Sequence, residues 1–162
     1  MNLGINISLS GFNLVSLAAK IRAILSKYSK TDSAGAQKVL YGPELVTNGD
    51  FSSGTTGWIS SSSWPAALSV TSGVMNVSYT SSNIGRAVQA SSFSCAVGKT
   101  YVVTGFARCI SGTGCYVNIA QNTAGGGEIA GQYVTASTFQ PVSFQFVATQ
   151  ATHWVSFNLS GV

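Results

Sequence analysis

Residues 153–160, His153-Trp154-Val155-Ser156-Phe157-Asn158-Leu159-Ser160, alternate strictly between two kinds of side chain. Val155, Phe157 and Leu159 take one set of positions, and Trp154, Ser156 and Asn158 take the other. That period of two is the mark of a strand with one buried face. Residues 142–147 repeat it, with Val142, Phe144 and Phe146 set against Ser143 and Gln145. Working outward from this pair, further strands are expected at 44–47, 67–71, 73–80, 85–95, 100–110, 115–121, 129–135 and 139–148. Clusters of Gly, Ser and Thr separate them. Short strands at regular spacing with turn residues between them predict an all-β fold in which two sheets pack as a sandwich.

The composition agrees with this reading. Of 162 residues, 7% are charged, against ~25% in an average globular protein. Ser, Thr and Gly make up about a third of the chain, yet 45% is apolar, which excludes a disordered polar tract. Acid–base inventory is small: Asp32, Glu44, Asp50, Glu128 and His153. A glycosidase needs two carboxylates flanking one bond, and a hydrolytic triad needs a nucleophile, a base and an orienting group. Neither set can be assembled from these residues with conviction, so the expectation is a protein that is not an enzyme and uses no cofactor.

The net charge of +4 is unevenly placed. Residues 1–43 hold Lys20, Arg22, Lys27, Lys30 and Lys38 against Asp32, whereas Arg86, Lys99 and Arg108 balance Glu44, Asp50 and Glu128 in residues 44–162. A neutral body thus follows a basic arm, and such a step marks units with different partners. Within the arm, Leu3, Ile5, Ile7 and Leu9 alternate with polar or small residues, which predicts a strand over 3–9. Leu14, Leu17, Ile21, Ile24, Leu25 and Tyr28 fall at helical spacing, which predicts an amphipathic helix over 13–29. A linker over 29–42 follows. Neither element can bury its apolar face alone, so these ten apolar residues are expected to dock on a partner, including copies of the same chain. No apolar run approaches the ~18 residues of a membrane span, and Lys20 and Arg22 interrupt any signal-peptide core.

From residue 44 onward the chain resembles a known family. Glu44-Leu45-Val46-Thr47-Asn48-Gly49-Asp50-Phe51, followed by Gly57-Trp58, looks like the opening strand and loop of jelly-roll carbohydrate-binding modules of the xylan- and glucan-binding type. Gly73-Val74-Met75-Asn76-Val77, Ala87-Val88-Gln89, the stretch Val97-Gly98-Lys99-Thr100-Tyr101 to Arg108, and Phe139-Gln140-Pro141-Val142-Ser143-Phe144-Gln145-Phe146 are similar to later strands of the family, in order. The resemblance covers 44–162 and implies a galactose-binding-domain-like jelly roll. Such modules also occur in phage tail and capsid accessory proteins. An arm joined to one module therefore implies a virion protein, a capsid decoration or short fibre assembled in the host cytoplasm, with other virion proteins as partners. The family's structural calcium uses an acidic residue just after the opening Phe; Ser52-Ser53 stand there, so no metal is expected. The family's final acidic strand is also missing, which implies that strand 3–9 or a neighbouring subunit completes a sheet edge.

The resemblance further implies that sugar would meet aromatic platforms and amide side chains. Trp64, Tyr116, Asn118, Gln145 and Trp154 are the residues expected to supply them, on a cell-surface polysaccharide. Trp58 is expected in the core. Cys109 and Cys115 flank the turn 110–114 and could be bridged or free. Thr123-Ala124-Gly125-Gly126-Gly127-Glu128 lacks the lysine of a phosphate loop and reads as a hairpin tip. A neutral body without interleaved basic and aromatic residues argues against nucleic acid.

Overall fold

The computed structural model describes residues 20–31, 37–80, 84–110, 112–123 and 126–160. Twelve strands run through them: β1 Lys20–Thr31, β2 Gln37–Glu44, β3 Trp58–Ser60, β4 Ala66–Thr71, β5 Val74–Tyr79, β6 Ile84–Gln89, β7 Phe93–Ser94, β8 Thr100–Ala107, β9 Gly114–Ala120, β10 Ala130–Val134, β11 Gln140–Val147 and β12 Thr152–Ser160. There is no helix among the described residues. A four-stranded sheet has the order β11-β8-β1-β2, a larger sheet the order β10-β9-β12-β6-β3 with β7 also on β12, and β4 and β5 form a separate hairpin. Every pairing is antiparallel.

One apolar core joins the sheets. Val155, Phe157 and Leu159 of β12 and Val117 and Ile119 of β9 meet Tyr101 and Val103 of β8 and Val142 and Phe146 of β11, with Met75 and Val77 of β5 beside them. The alternation in β11 sorts core from surface as expected, whereas in β12 Val155, Phe157 and Leu159 enter the core and Ser156, on the opposite face, is fully buried as well. Trp58 stacks on Phe157 with ring centroids 4.8 Å apart, and Phe51 leans on Trp58 at 5.5 Å. The hairpin β4–β5 turns at Ser72-Gly73, both at positive φ. That is the two-residue turn whose twist matches paired strands.

The segment 44–51 leaves the ladder after Glu44 rather than forming a strand over 44–47. Asn48 organises the loop instead. Its Nδ2 donates to the carbonyls of Gly54 and Thr56, and its Oδ1 accepts from Ser53 N–H. Phe51, in the left-handed region at φ 53, is thereby turned into the core, where it is 1% exposed. A non-glycine residue in that region is uncommon, and burial of the ring offsets the cost.

The arm departs from expectation. In place of the helix predicted over 13–29, residues 20–29 belong to β1, and much of the predicted linker is β2. Lys20, Ile21, Arg22 and Ala23 pair with Thr104, Val103, Val102 and Tyr101 of β8. The physical reason is that β8 would otherwise leave a row of backbone donors and acceptors unpaired beside β11. Ile21 and Ala23 alternate with Lys20 and Arg22, so a period of two over 20–23, the stretch that pairs with β8, coexists with the helical spacing. The register puts Ile21 and Ala23 opposite Val103 and Tyr101, both buried in the core. Pairing with β8 stops at Ala23, whereas pairing with β2 continues to Thr31 opposite Gln37. The hairpin thus outruns the sheet to which it is attached. The strand predicted over 3–9 and residues 13–19 lie outside the described residues, and so do Leu3, Ile5, Ile7, Leu9, Leu14 and Leu17.

Candidate functional site: the outer face of the larger sheet

Antiparallel register places directly opposed residues on one face of a sheet. Across β6, β12, β9 and β10 one outer row therefore reads Arg86, Asn158, Tyr116, Tyr133. The next row, from β3 to β10, reads Ile59, Val88, Ser156, Asn118, Gly131. Trp154, opposite Ala120, extends the same face.

Two loops finish it. Ser61 N–H donates to the Arg86 carbonyl and Arg86 N–H to the Trp64 carbonyl, each at 2.9 Å. This zips the loop onto β6 and sets the Trp64 ring over the Arg86 guanidinium, 4.1 Å from its centroid, in cation–π geometry. From the other side, the segment leading into β10 brings Glu128. Asn158 Nδ2 donates to Glu128 Oε1 at 2.6 Å, and Arg86 Nη2 lies 3.8 Å from the same oxygen. Ser156 Oγ donates to Asn158 Oδ1 at 2.9 Å. With both ends of its amide engaged, the Asn158 side chain is held in one orientation.

Tyr116 and Tyr133 pair with centroids 5.3 Å apart. Gly131 makes room for them: a Cβ there would fall 2.6 Å from Tyr116 Cζ and 2.5 Å from the Val117 carbonyl oxygen. Tyr133 and Trp64 are exposed at the two ends of the strip, at 56% and 37%. Asn118 in the middle is fully buried, and neither polar atom of its amide has a hydrogen-bond partner in the described structure. Asn118 thus lies beneath the face rather than on its accessible surface.

Burial lowers the Arg86 pKa from its ordinary value, and the nearby Glu128 charge opposes that shift. Burial raises the Tyr116 pKa, with the Glu128 charge and then Tyr133 adding to it.

Of the five residues expected to meet sugar, the structure brings together Trp64, Tyr116, Asn118 and Trp154 on this face. Gln145 does not join them. It pairs with Val102 in the four-stranded sheet, because β11 lies in the other layer. Sequence reasoning missed Arg86, Glu128 and Tyr133. A signal existed for the first two, since they are opposite charges in a body that has few.

The remaining reactive groups lie elsewhere. His153 is fully buried beside Phe146 and Phe93. Its pKa is lowered by burial, which the Ala120 backbone opposes in part. Cys95, Cys109 and Cys115 are buried free thiols. Burial pushes the Cys95 thiol up to about 11. Cys115 is also raised, first by its hydrogen bond with Cys109. Asp50 Oδ1 accepts from both the N–H and the hydroxyl of Ser52, a local turn interaction. Among the described residues no three His, Cys, Asp or Glu side chains gather as a metal site, and no helix is long and apolar enough to cross a membrane. No protein-family model matches the chain, and neither does any curated protein.

Proposed function

We propose that this chain is a virion structural protein, a capsid decoration or short fibre, in which the arm makes assembly contacts and residues 44–162 are displayed as a jelly-roll module. The observation that supports this reading is the β1–β2 hairpin. It concentrates Lys20, Arg22, Lys27, Lys30 and Lys38, joins the body through Lys20–Ala23, and continues past it. A hairpin that extends beyond its own sheet presents strand edges suited to another chain, and its partner surfaces would include other copies of the protein. Sedimentation of the full chain tests this. Oligomers are expected, and a Lys27→Glu, Lys30→Glu, Lys38→Glu variant is expected to sediment as a monomer. If chains with and without the substitutions run as the same species, the assembly role of the hairpin is lost.

A second reading has its own support. The strip from Trp64 through Arg86, Glu128 and Asn158 to Tyr133 combines exposed aromatic rings at its ends with an amide and a charged pair between them, the chemistry by which proteins hold saccharides. We propose that this face recognises polysaccharide, either in a displayed module or in a free-standing carbohydrate-binding module or adhesin. Affinity electrophoresis in gels containing polysaccharides, comparing the full chain with Trp64→Ala, tests it. Retardation that the substitution abolishes is the expected result.

A further inference from the structure

Arg86 and Glu128 differ in how firmly they are held. The Arg86 side chain is 10% exposed, its ring of contacts includes Trp64 at 4.1 Å, and its backbone is paired with Ser61 and Trp64 on one edge and with Asn158 on the other. The Glu128 side chain is 38% exposed and lies outside the ladder, two residues before β10 begins. It follows Gly127, which is at φ +67, in the left-handed region that favours glycine. The cation belongs to the sheet, and the carboxylate is brought to it from a loop.

This asymmetry restricts what can occupy the centre of the face. The positions where a ligand oxygen would accept from Asn158 Nδ2 and face Arg86 Nη2 are those that Glu128 Oε1 now holds. A neutral sugar that displaced Glu128 would leave a buried guanidinium without the carboxylate that offsets its desolvation, a costly exchange. A neutral sugar that left Glu128 in place could not use those two donors. A ligand carboxylate can replace Glu128 and keep both the charge pairing and the Asn158 hydrogen bond. Glu128 would then move to solvent, where a carboxylate is well hydrated.

We infer that the face takes a carboxylate-bearing saccharide, a uronate, with Glu128 as the internal group that its carboxylate replaces. This rests on the polysaccharide reading given above. The pyranose rings would lie along Trp64 and the Tyr116–Tyr133 pair. Uronate binding would weaken as salt is added, because an exposed charge approaching the site is screened.

The test is isothermal titration of the full chain with a galacturonate oligosaccharide and with a neutral xylo-oligosaccharide of equal length. Preference for the uronate is expected, with affinity falling as ionic strength rises. Glu128→Gln, which removes the competing charge, is expected to tighten uronate binding about two- to fivefold, the range of a partly exposed ion pair. Arg86→Met is expected to abolish it. Because that variant removes a buried side chain, the Glu128→Gln and salt measurements stand independently of whether it folds. Equal or tighter binding of the neutral sugar by both the wild-type chain and Glu128→Gln would overturn the uronate assignment and leave the polysaccharide reading standing. Binding of neither sugar by either protein would overturn both.

Discussion

The side chain of Gln132 does the work of a strand for Ser143. Its Oε1 accepts from Ser143 N–H at 2.8 Å, and its Nε2 donates to the Pro141 carbonyl at 3.2 Å. β11 is the edge of the four-stranded sheet and β10 the edge of the larger one. One amide therefore closes the two layers along a side where no backbone ladder joins them.

Replacing Gln132 with Ala removes both bonds and leaves the β11 edge open. These bonds are exposed, so the expected loss is about 1 kcal/mol in chemical denaturation. The melting temperature should fall by about 2–4 °C, the shift per kcal/mol for a chain of this length. Light scattering should also show more association on heating, since an uncovered edge pairs with other chains. An unchanged midpoint and unchanged scattering would mean that water replaces the amide without cost.

Asn48 combines a left-handed backbone, φ 50, with side-chain hydrogen bonds to Ser53, Gly54 and Thr56. Asn48→Ala loses the bonds and adds backbone strain, so a destabilisation of about 2–3 kcal/mol is expected in urea unfolding. Asn48→Gly keeps the backbone conformation and should lose less. Trp58, whose Nε1 donates to the Asn48 carbonyl at 3.2 Å, reports the same change through its fluorescence. Equal losses for Ala and Gly would show that strain plays no part.

His153 has a folded pKa below its ordinary value of 6.5 because burial disfavours the charged ring. The unfolded chain takes up this proton as pH falls through about 6.5, while the folded chain resists it. The His153 contribution to stability is therefore complete above that pH and declines as pH falls toward the lowered folded value. Melting temperature should drop between pH 7.5 and 5, and a His153→Phe variant that folds should have a shallower slope in that window. A slope equal to that of the wild-type chain would assign the pH dependence to other groups.

Much of this architecture is legible in the amino-acid order. Alternation in 142–147 and 153–160 separates Phe146, Val155, Phe157 and Leu159 from Gln145, Ser156 and Asn158, because a pleated strand sends successive side chains to opposite faces. The same local rule puts Tyr116, Asn118 and Trp154 on the face turned away from the core, whereas the burial of Asn118 on that face depends on the folded chain. Two further features depended on the folded chain. The segment 20–29 has helical hydrophobic spacing throughout and a period of two only over 20–23, and pairing of those four residues with β8 prevailed. The charged centre of the outer face joins Arg86, Glu128 and Asn158, which lie on separate parts of the chain, Glu128 and Asn158 being 30 positions apart. No local period relates such positions. Strand order and register bring them within hydrogen-bonding distance, and only a completed sheet has either.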